Sequence, residues 1–350
     1  MSDGVPDFTP VNLLTGFLGS GKTTLLQRLL ADPALSDTAV LISEFGEVGL
    51  DHHLLEVIDE RTVLLQSGCL CCTIRGELSE AMRDLHSRRA RGQVPPFRRL
   101  AIESTGLADP FPVLTTLHAD PVLKHHFRLA NVVVTVDAVN GEATLAKHPE
   151  SVKQVAVADR IVLTKTDLAA AGALDAIARA VGAINPAAPL LRAVEDAPAA
   201  ALLFAEGIFD FARLDGRARA WFDAELLEAD PHHHAHAHDR NRHGPGIRAF
   251  ALRFDRPLDW TAFGVWLTML LNRHGEHVLR VKGILAVAGS EAPVAVHGVQ
   301  HLVHPPVHLR AWPDADRRSR LVFIVDGLDP AAIEASLRVF AGLADPVLTD

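Results

Sequence analysis

Three thiols fall within four positions in SGCLCCTIRG, residues 67–76, and they are all the cysteines of this 350-residue chain. Thiolates at Cys69, Cys71 and Cys72 can converge on one soft ion, with Leu70 turned away. Zn²⁺ takes four tetrahedral ligands, and this stretch supplies three. Candidates for the fourth place are Glu47, His52 and His53 in SEFGEVGLDHH, residues 43–53. A three-thiolate site with a replaceable fourth ligand suits a protein that passes metal on, whereas a closed site holds it. Buried small hydrophobes, a redox centre and a structural zinc clip are the alternatives. Adjacency of Cys71 and Cys72 departs from the C-x-x-C spacing of redox pairs. A second set of metal-binding side chains lies in HHHAHAHD, residues 232–239. There His232, His233, His234, His236 and His238 form either a weak store for Zn²⁺, Ni²⁺ or Co²⁺ or a solvated spacer.

The remaining chemistry concerns phosphate. GFLGSGKTT, residues 16–24, fits G-x-x-x-x-G-K-[ST] through Gly16, Gly21, Lys22 and Thr23. Its glycines let backbone N–H groups close on phosphates at a helix N-terminus. Gly19, Ser20 and Thr24 complete the cradle. Lys22 is expected to reach the β and γ phosphates, and the Thr23 hydroxyl to ligate Mg²⁺. FRRLAIESTGLADP, residues 97–110, is an apolar strand ending in Glu103, with Gly106 three residues on. An acid there can hold a metal-bound water or orient the attacking one, and Gly106 can offer its N–H to the γ phosphate. The plainer reading makes Glu103 a helix-capping acid. DRIVLTKTD, residues 159–167, ends a late strand. Asp167 is a candidate acceptor for guanine N1–H and the 2-amino group, which adenine cannot match. Lys165 is expected to lay its methylenes along the purine. Thr164 stands where the usual N-K-x-D has asparagine, so that amide contact is absent or altered.

These residues need a scaffold that brings strand ends together. Apolar runs at Val11–Leu14, Ala39–Ile42, Val63–Leu65, Leu100–Ile102, Val132–Val136 and Ile161–Leu163 do not alternate, and helical patterns separate them. Those helices include Thr23–Ala31, Glu77–Ala90 and Gly172–Val181. The pattern predicts an α/β fold, a parallel sheet covered on both faces. Residues 228–246 carry almost no large apolar side chain and read as a linker. Beyond it come an alternating strand (Arg248–Phe254), a helix opened by Asp259 and running to about Asn272, and further strands at Val278–Ala288, Val294–Val303, Val307–Trp312 and Leu321–Val325. A closing helix from about Pro330 completes a smaller α+β domain. The expected division is 1–205, a linker 206–247 with the histidine loop, and 248–350.

Composition excludes other classes. The chain is 48% hydrophobic with a formal net charge of −9, which argues against a partner held by nucleic-acid phosphates. No eighteen-residue apolar stretch or signal-peptide layout is visible, so no membrane partner is expected. Three crowded cysteines make a poor disulfide framework, which points to a reducing cytoplasmic setting.

Taken in order, GFLGSGKTT, SEFGEVGLDHH, SGCLCCTIRGEL, ESTGLADP and TKTD resemble the CobW-type metallochaperone GTPases, of the wider class of the urease and hydrogenase nickel-insertion GTPases. LRFDRPLDW, RVKGILAV and SRLVFIVDGLD extend the resemblance over the second domain. It implies a P-loop NTPase sheet with a CobW-type C-terminal domain. It also implies GTP hydrolysis with Mg²⁺, GTP-dependent homodimerisation, and a C-x-C-C site that delivers zinc or cobalt to a metalloprotein client. By the same resemblance Glu47 matches the family acid near the metal, and Glu44 lies in the nucleotide-sensing loop. Two rival expectations remain: a metal-storage protein in which nucleotide only stabilises the fold, and a small-molecule P-loop kinase. The kinase would have no use for three thiols or for TKTD.

Overall fold

The computed structural model describes residues 8–43, 64–67, 74–170, 172–193, 204 and 246–342. They divide into two compact units, one built on a parallel sheet and one on an antiparallel sheet.

The first unit has seven parallel strands. In chain order they are β1 (Thr9–Gly16), β2 (Thr38–Ser43), β3 (Leu64–Ser67), β4 (Arg99–Glu103), β5 (Phe127–Asp137), β6 (Arg160–Thr164) and β7 (Leu190–Arg192). Their order across the sheet is β3-β2-β4-β1-β5-β6-β7. Every residue of β6 and nearly every residue of β1 and β5 is buried. That is why these strands read as unbroken apolar runs, since both faces of the sheet are covered. Helix α1 (Lys22–Leu30) lays Leu25, Leu26 and Leu29 against Leu14, Val40, Val133 and Val162. Each such leucine contributes roughly 1.5–3 kcal/mol by leaving water. Helix α2 (Ile74–Ala90) begins just after the cysteine stretch. It is clipped to the loop before α4 (Leu123–His126), which follows α3 (Phe111–Ala119). In that clip Ser79 donates to the Asp120 carboxylate, and Arg83 reaches it at 2.6 Å. Burial pushes the Asp120 carboxyl up. The Ser79 hydroxyl, the Leu123 and Val122 N–H groups and Arg83 outweigh it and hold the pKa at about 2. Helices α5 (Gly141–Lys147) and α6 (Pro149–Val157) follow β5, and α7 (Ala173–Ile184) follows β6.

The second unit is a six-stranded antiparallel sheet. Its strands are β8 (Ile247–Phe254), β9 (Val278–Leu285), β10 (Val294–Val299), β11 (Leu302–Val303), β12 (Val307–His308) and β13 (Ser319–Asp326). The order is β11-β10-β9-β13-β8, with β12 paired to β10. Helix α8 (Trp260–His274) is capped by Asp259, which accepts from Ala262 N–H at 2.7 Å. Helix α9 (Pro330–Phe340) is capped by Asp329, with proline at its first position. Trp266 joins the two helices through a 2.9 Å hydrogen bond to Ser336 Oγ and stands edge-on to Phe323 in the core. The sequence suggests one strand over Val294–Val303. The chain instead turns at Gln300, with φ of 50°, and splits it into the β10–β11 hairpin. Of the expected strand Val307–Trp312 only Val307–His308 forms a strand, and beyond it Leu309 N–H donates to the Pro293 carbonyl at 2.9 Å.

Candidate functional site

The seven parallel strands lead their C-terminal ends to one edge of the sheet, where ligands of such sheets bind. At the centre, β1 ends at Gly16 and gives way to the loop that opens α1. Gly16 has φ of 143°, and a Cβ there would sit 2.4 Å from the Thr135 carbonyl oxygen. Only glycine lets the loop turn this close to β5. Gly21 occupies the α1 cap in the left-handed region with no side-chain cap. The first N–H groups of the helix are therefore not consumed by a side chain, as an anion site requires.

The loop is pinned at three points. Ser20 Oγ lies 2.7 Å from Thr135 Oγ1. The Lys22 ammonium donates to the Gly16 and Phe17 carbonyls at 3.0 and 3.2 Å. Thr164 Oγ1 donates to the Ser20 carbonyl at 2.7 Å. Thr164 is thus the strap that ties β6 to the phosphate loop, and its hydroxyl is spent on backbone. Burial lowers the Lys22 pKa, and the nearby Glu103 carboxylate opposes that shift. Thr24 is exposed on the first turn of α1.

Glu103 and Thr23 stand together. Thr23 Oγ1 donates to Glu103 Oε1 at 2.7 Å, and the carboxylate is 5% exposed. A hydroxyl beside a buried carboxylate is a hard oxygen pair of the kind Mg²⁺ prefers, so these residues fit that ion. Beyond Glu103, Ser104 N–H donates to the Leu14 carbonyl at 3.0 Å, and Ser104 Oγ donates to Thr15 Oγ1 at 2.8 Å. These bonds lock the start of the loop against β1. Gly106 then presses on the phosphate loop, where a Cβ would come within 2.5 Å of Leu18 N. The Gln154 amide on α6 donates to the Gly106 and Ala108 carbonyls at 3.3 and 3.1 Å.

The predicted base-reading stretch leaves β6. Lys165 takes a left-handed conformation, and Asp167 lies exposed in the short 3₁₀ turn that follows. Sequence reasoning missed Asp137, which receives the Lys165 ammonium at 2.8 Å. Burial pushes the Asp137 carboxyl up, but hydrogen bonds from Lys165, Val139 N–H and Asn140 outweigh this and hold it below the ordinary carboxylate range. Its signal is an acid closing the apolar run VVVTVD, the pattern that singled out Glu103. A cavity of about 200 Å³ beside the loop is lined by Phe17, Ser20, Thr135, Asp137, Gln154 and Lys165 among others.

The metal-ligand candidates Cys69, Cys71, Cys72, Glu47, His52 and His53, and the histidines 232–238, lie outside the described residues. Among the described residues no group of three or more His, Cys, Asp and Glu side chains could hold a metal. Their flanks are described: Ser67, closing β3, is in register with Ser43 of β2, and Ile42 of β2 with Glu103 of β4. No helix of the described residues is long and apolar enough to cross a membrane.

Comparison with known proteins agrees with this geometry. The model of the CobW/HypB/UreG nucleotide-binding domain matches residues 10–192, and that of the cobalamin synthesis protein cobW C-terminal domain matches residues 247–341. The zinc chaperone YjiA of Escherichia coli is 33% identical over 333 residues, 95% of this chain and 98% of that protein. The zinc chaperone CobW of Pseudomonas aeruginosa is 31% identical, over 94% of this chain and 90% of that protein. The crystal structure of Zn(II)-bound YjiA GTPase superposes with a TM-score of 0.71 at 30% identity, covering 97% of this chain and 99% of that one. A Zn(II)-bound triple mutant of the same protein, with one glutamate and two cysteines changed to alanine, superposes equally. This chain belongs to the CobW/HypB/UreG family, with its nucleotide-binding domain followed by a cobW-type C-terminal domain.

Proposed function

We propose that this protein is a Mg²⁺-dependent GTPase that acts as a metallochaperone. GTP binding and hydrolysis control the loading or release of Zn²⁺, or of Co²⁺, at Cys69, Cys71 and Cys72. The observation that carries the reading is the register of the sheet edge. Ser67, two residues before the first thiol, closes a strand only two positions across the sheet from Glu103. At roughly 4.8 Å per strand, that is about 10 Å. The strand between them, β2, ends at Ser43, the first residue of the SEFGEVGLDHH segment that carries Glu44 and Glu47.

In this reading Gly16–Thr24 bind the phosphates and exclude water from one side. Lys22 exchanges its carbonyl partners for phosphate oxygens. Asp167 accepts from the guanine edge, and Gly106 offers its N–H to the γ phosphate. Mg²⁺, held by Thr23 with Glu103 behind it, supplies charge neutralisation to the transferring phosphoryl group when bound. Glu47 is the proposed fourth metal ligand, recruited or withdrawn as its loop orders around GTP. The histidines 232–238 act as a weaker, multi-ion store. The zinc-chaperone names of the full-length relatives favour zinc, and the glutamate and two cysteines altered in the triple mutant are the residue types offered here by Glu47 and the thiol cluster. A client metalloprotein, a nucleotide-dependent homodimer and a cytoplasmic setting belong to the same proposal.

The test is a Zn²⁺ competition titration on nucleotide-free, GDP-bound and non-hydrolysable-GTP-bound protein, repeated with Glu47→Ala. Metal affinity should differ between the GDP and GTP states by about 5–150-fold, the usual range of coupling. The difference should collapse in the variant. Equal affinities in all three states would leave a protein that stores metal and binds nucleotide independently.

A further inference from the structure

Among the groups beside the base-reading stretch, one carboxylate has so far been given no task. Asp137 closes β5 in register with Thr164 of β6, and Ala138 N–H donates to the Thr164 carbonyl at 3.0 Å. The residue is 9% exposed. Its Oδ1 accepts from the Val139 and Asn140 N–H groups at 2.7 and 3.2 Å, and Oδ2 accepts from Asn140 Nδ2 at 3.2 Å. Those three bonds close the turn that leads into α5. The fourth bond has a different origin. The Lys165 ammonium arrives at Oδ2 from 28 residues further along the chain, at 2.8 Å.

Lys165 is restrained at its other end too, because its backbone sits at φ of 55°. Residues with a Cβ hold that conformation only where their surroundings impose it. A lysine side chain normally samples many rotamers, and fixing it costs entropy. Here both ends are already fixed, so the four-carbon stem between them is pre-organised. It lies two residues before Asp167, and its ammonium partner lines the same cavity as Ser20 of the phosphate loop.

We propose that Asp137 is a positioning residue for the purine base: by holding the Lys165 ammonium it sets the lysine stem as the wall on which the base lies while Asp167 reads the base edge. The inference rests on the nucleotide reading above and extends it to a residue outside the recognised motifs. It predicts a specific signature. Loss of Asp137 should weaken binding of whole nucleotides and spare binding of a ligand that is only phosphate.

The experiment is calorimetric titration of GDP, ADP and inorganic tripolyphosphate into the native protein, Asp137→Asn, Lys165→Met and the double variant. Asparagine at 137 can still accept from the Val139 and Asn140 N–H groups through Oδ1, so the backbone bonds of the turn survive, while its amide NH₂ can accept neither from the Lys165 ammonium nor from Asn140 Nδ2. Asp137→Asn should weaken GDP about tenfold, the weight of a partly exposed charge-assisted hydrogen bond. Tripolyphosphate affinity should change less than twofold. Lys165→Met keeps the stem without the charge, and in that background Asp137→Asn should alter GDP affinity less than twofold. Unchanged GDP affinity in Asp137→Asn would overturn the proposal. So would an equal loss for tripolyphosphate, or a full tenfold loss in the methionine background. Equal GDP and ADP affinity in the native protein would instead sink the guanine reading, and the same comparison on ADP would still decide the role of Asp137.

Discussion

Replacing Gly106 by alanine separates nucleotide binding from nucleotide sensing. The added Cβ would lie 2.5 Å from Leu18 N, 2.7 Å from Leu18 Cα and 2.8 Å from Leu18 Cδ2. Two of those atoms are backbone and cannot rotate away, so something must move by roughly 1 Å, at an overpacking cost of about 1–3 kcal/mol. The phosphate loop is the stiffer partner, tied through Ser20 to Thr135 and Thr164 and through Lys22 to its own carbonyls. On the other side, Gly106 is held by one amide bond of 3.3 Å from Gln154. The Gly106 loop should therefore retreat and withdraw its N–H from the γ-phosphate position. A displacement of that size costs on the order of 100-fold in a positioned reaction. Single-turnover GTP hydrolysis should fall by about that factor, while GDP, which has no γ phosphate, should bind within about threefold of native. Melting should drop by a few degrees for the same clash. Lowered melting with hydrolysis within threefold of native would refute the reasoning, because the strain would then have been relieved away from the catalytic edge.

Three further outcomes follow from the site and its supports. Thr164→Ala removes the strap between β6 and the phosphate loop and should weaken GDP and GTP alike by about fivefold, near 1 kcal/mol, whereas Thr164→Ser should retain native affinity in the same fluorescence titration. Cys71→Ser should abolish the thiolate charge-transfer absorption of bound Co²⁺ and the tight one-per-chain stoichiometry, and native metal affinity should fall as pH drops because thiol protons must be displaced. Asp120, held at about pKa 2 in the folded protein against an unfolded value near 3.9, stabilises the fold fully from about pH 5 upward, and this contribution fades as pH falls toward about 2. Chemical denaturation of native and Asp120→Asn protein should therefore show a constant gap from about pH 5 upward that closes on acidification.

What the sequence makes legible here is what is local. The phosphate loop is nine consecutive residues, and every feature it needs, from the tight turn at Gly16 to the hydroxyl of Thr23, can be read within them. Glu103 was readable for the same reason, as an acid at the end of an apolar run. Thr164 was visible as a departure from the usual base-reading pattern. Its bond to the Ser20 carbonyl, 144 residues away, is a product of the β5–β6 pairing and leaves no trace in spacing. The Asp137–Lys165 pair was hidden similarly. Helices α5 and α6 escaped because they are seven and nine residues long and separated only by His148, too short for a 3.6-residue period to repeat convincingly. Strand β7 is a three-residue edge with no fully buried position, so it lacks the dense apolar run that marked the central strands.

The order of strands also bears on how a nucleotide could be felt at a metal. Strand β2 has β4 and its Glu103 on one side and β3, which leads to the cysteines, on the other. Its last residues are in register with both neighbours, Ile42 with Glu103 and Ser43 with Ser67. In the proposed function, a rearrangement of the segment after Ser43 would act on a strand in register with both Glu103 and Ser67, with no long relay required. Strand β3 is four residues long and, among the described residues, pairs only with β2. A short edge strand of that kind sits at the low end of local stability and is readily biased. A coupling of about 1–3 kcal/mol is comparable to a few hydrogen bonds of such a ladder. Linkage then requires metal at the cysteines to shift GTP affinity by the same factor that GTP shifts metal affinity. The metallochaperone reading gains most from that reciprocity, because two independent titrations must return one number.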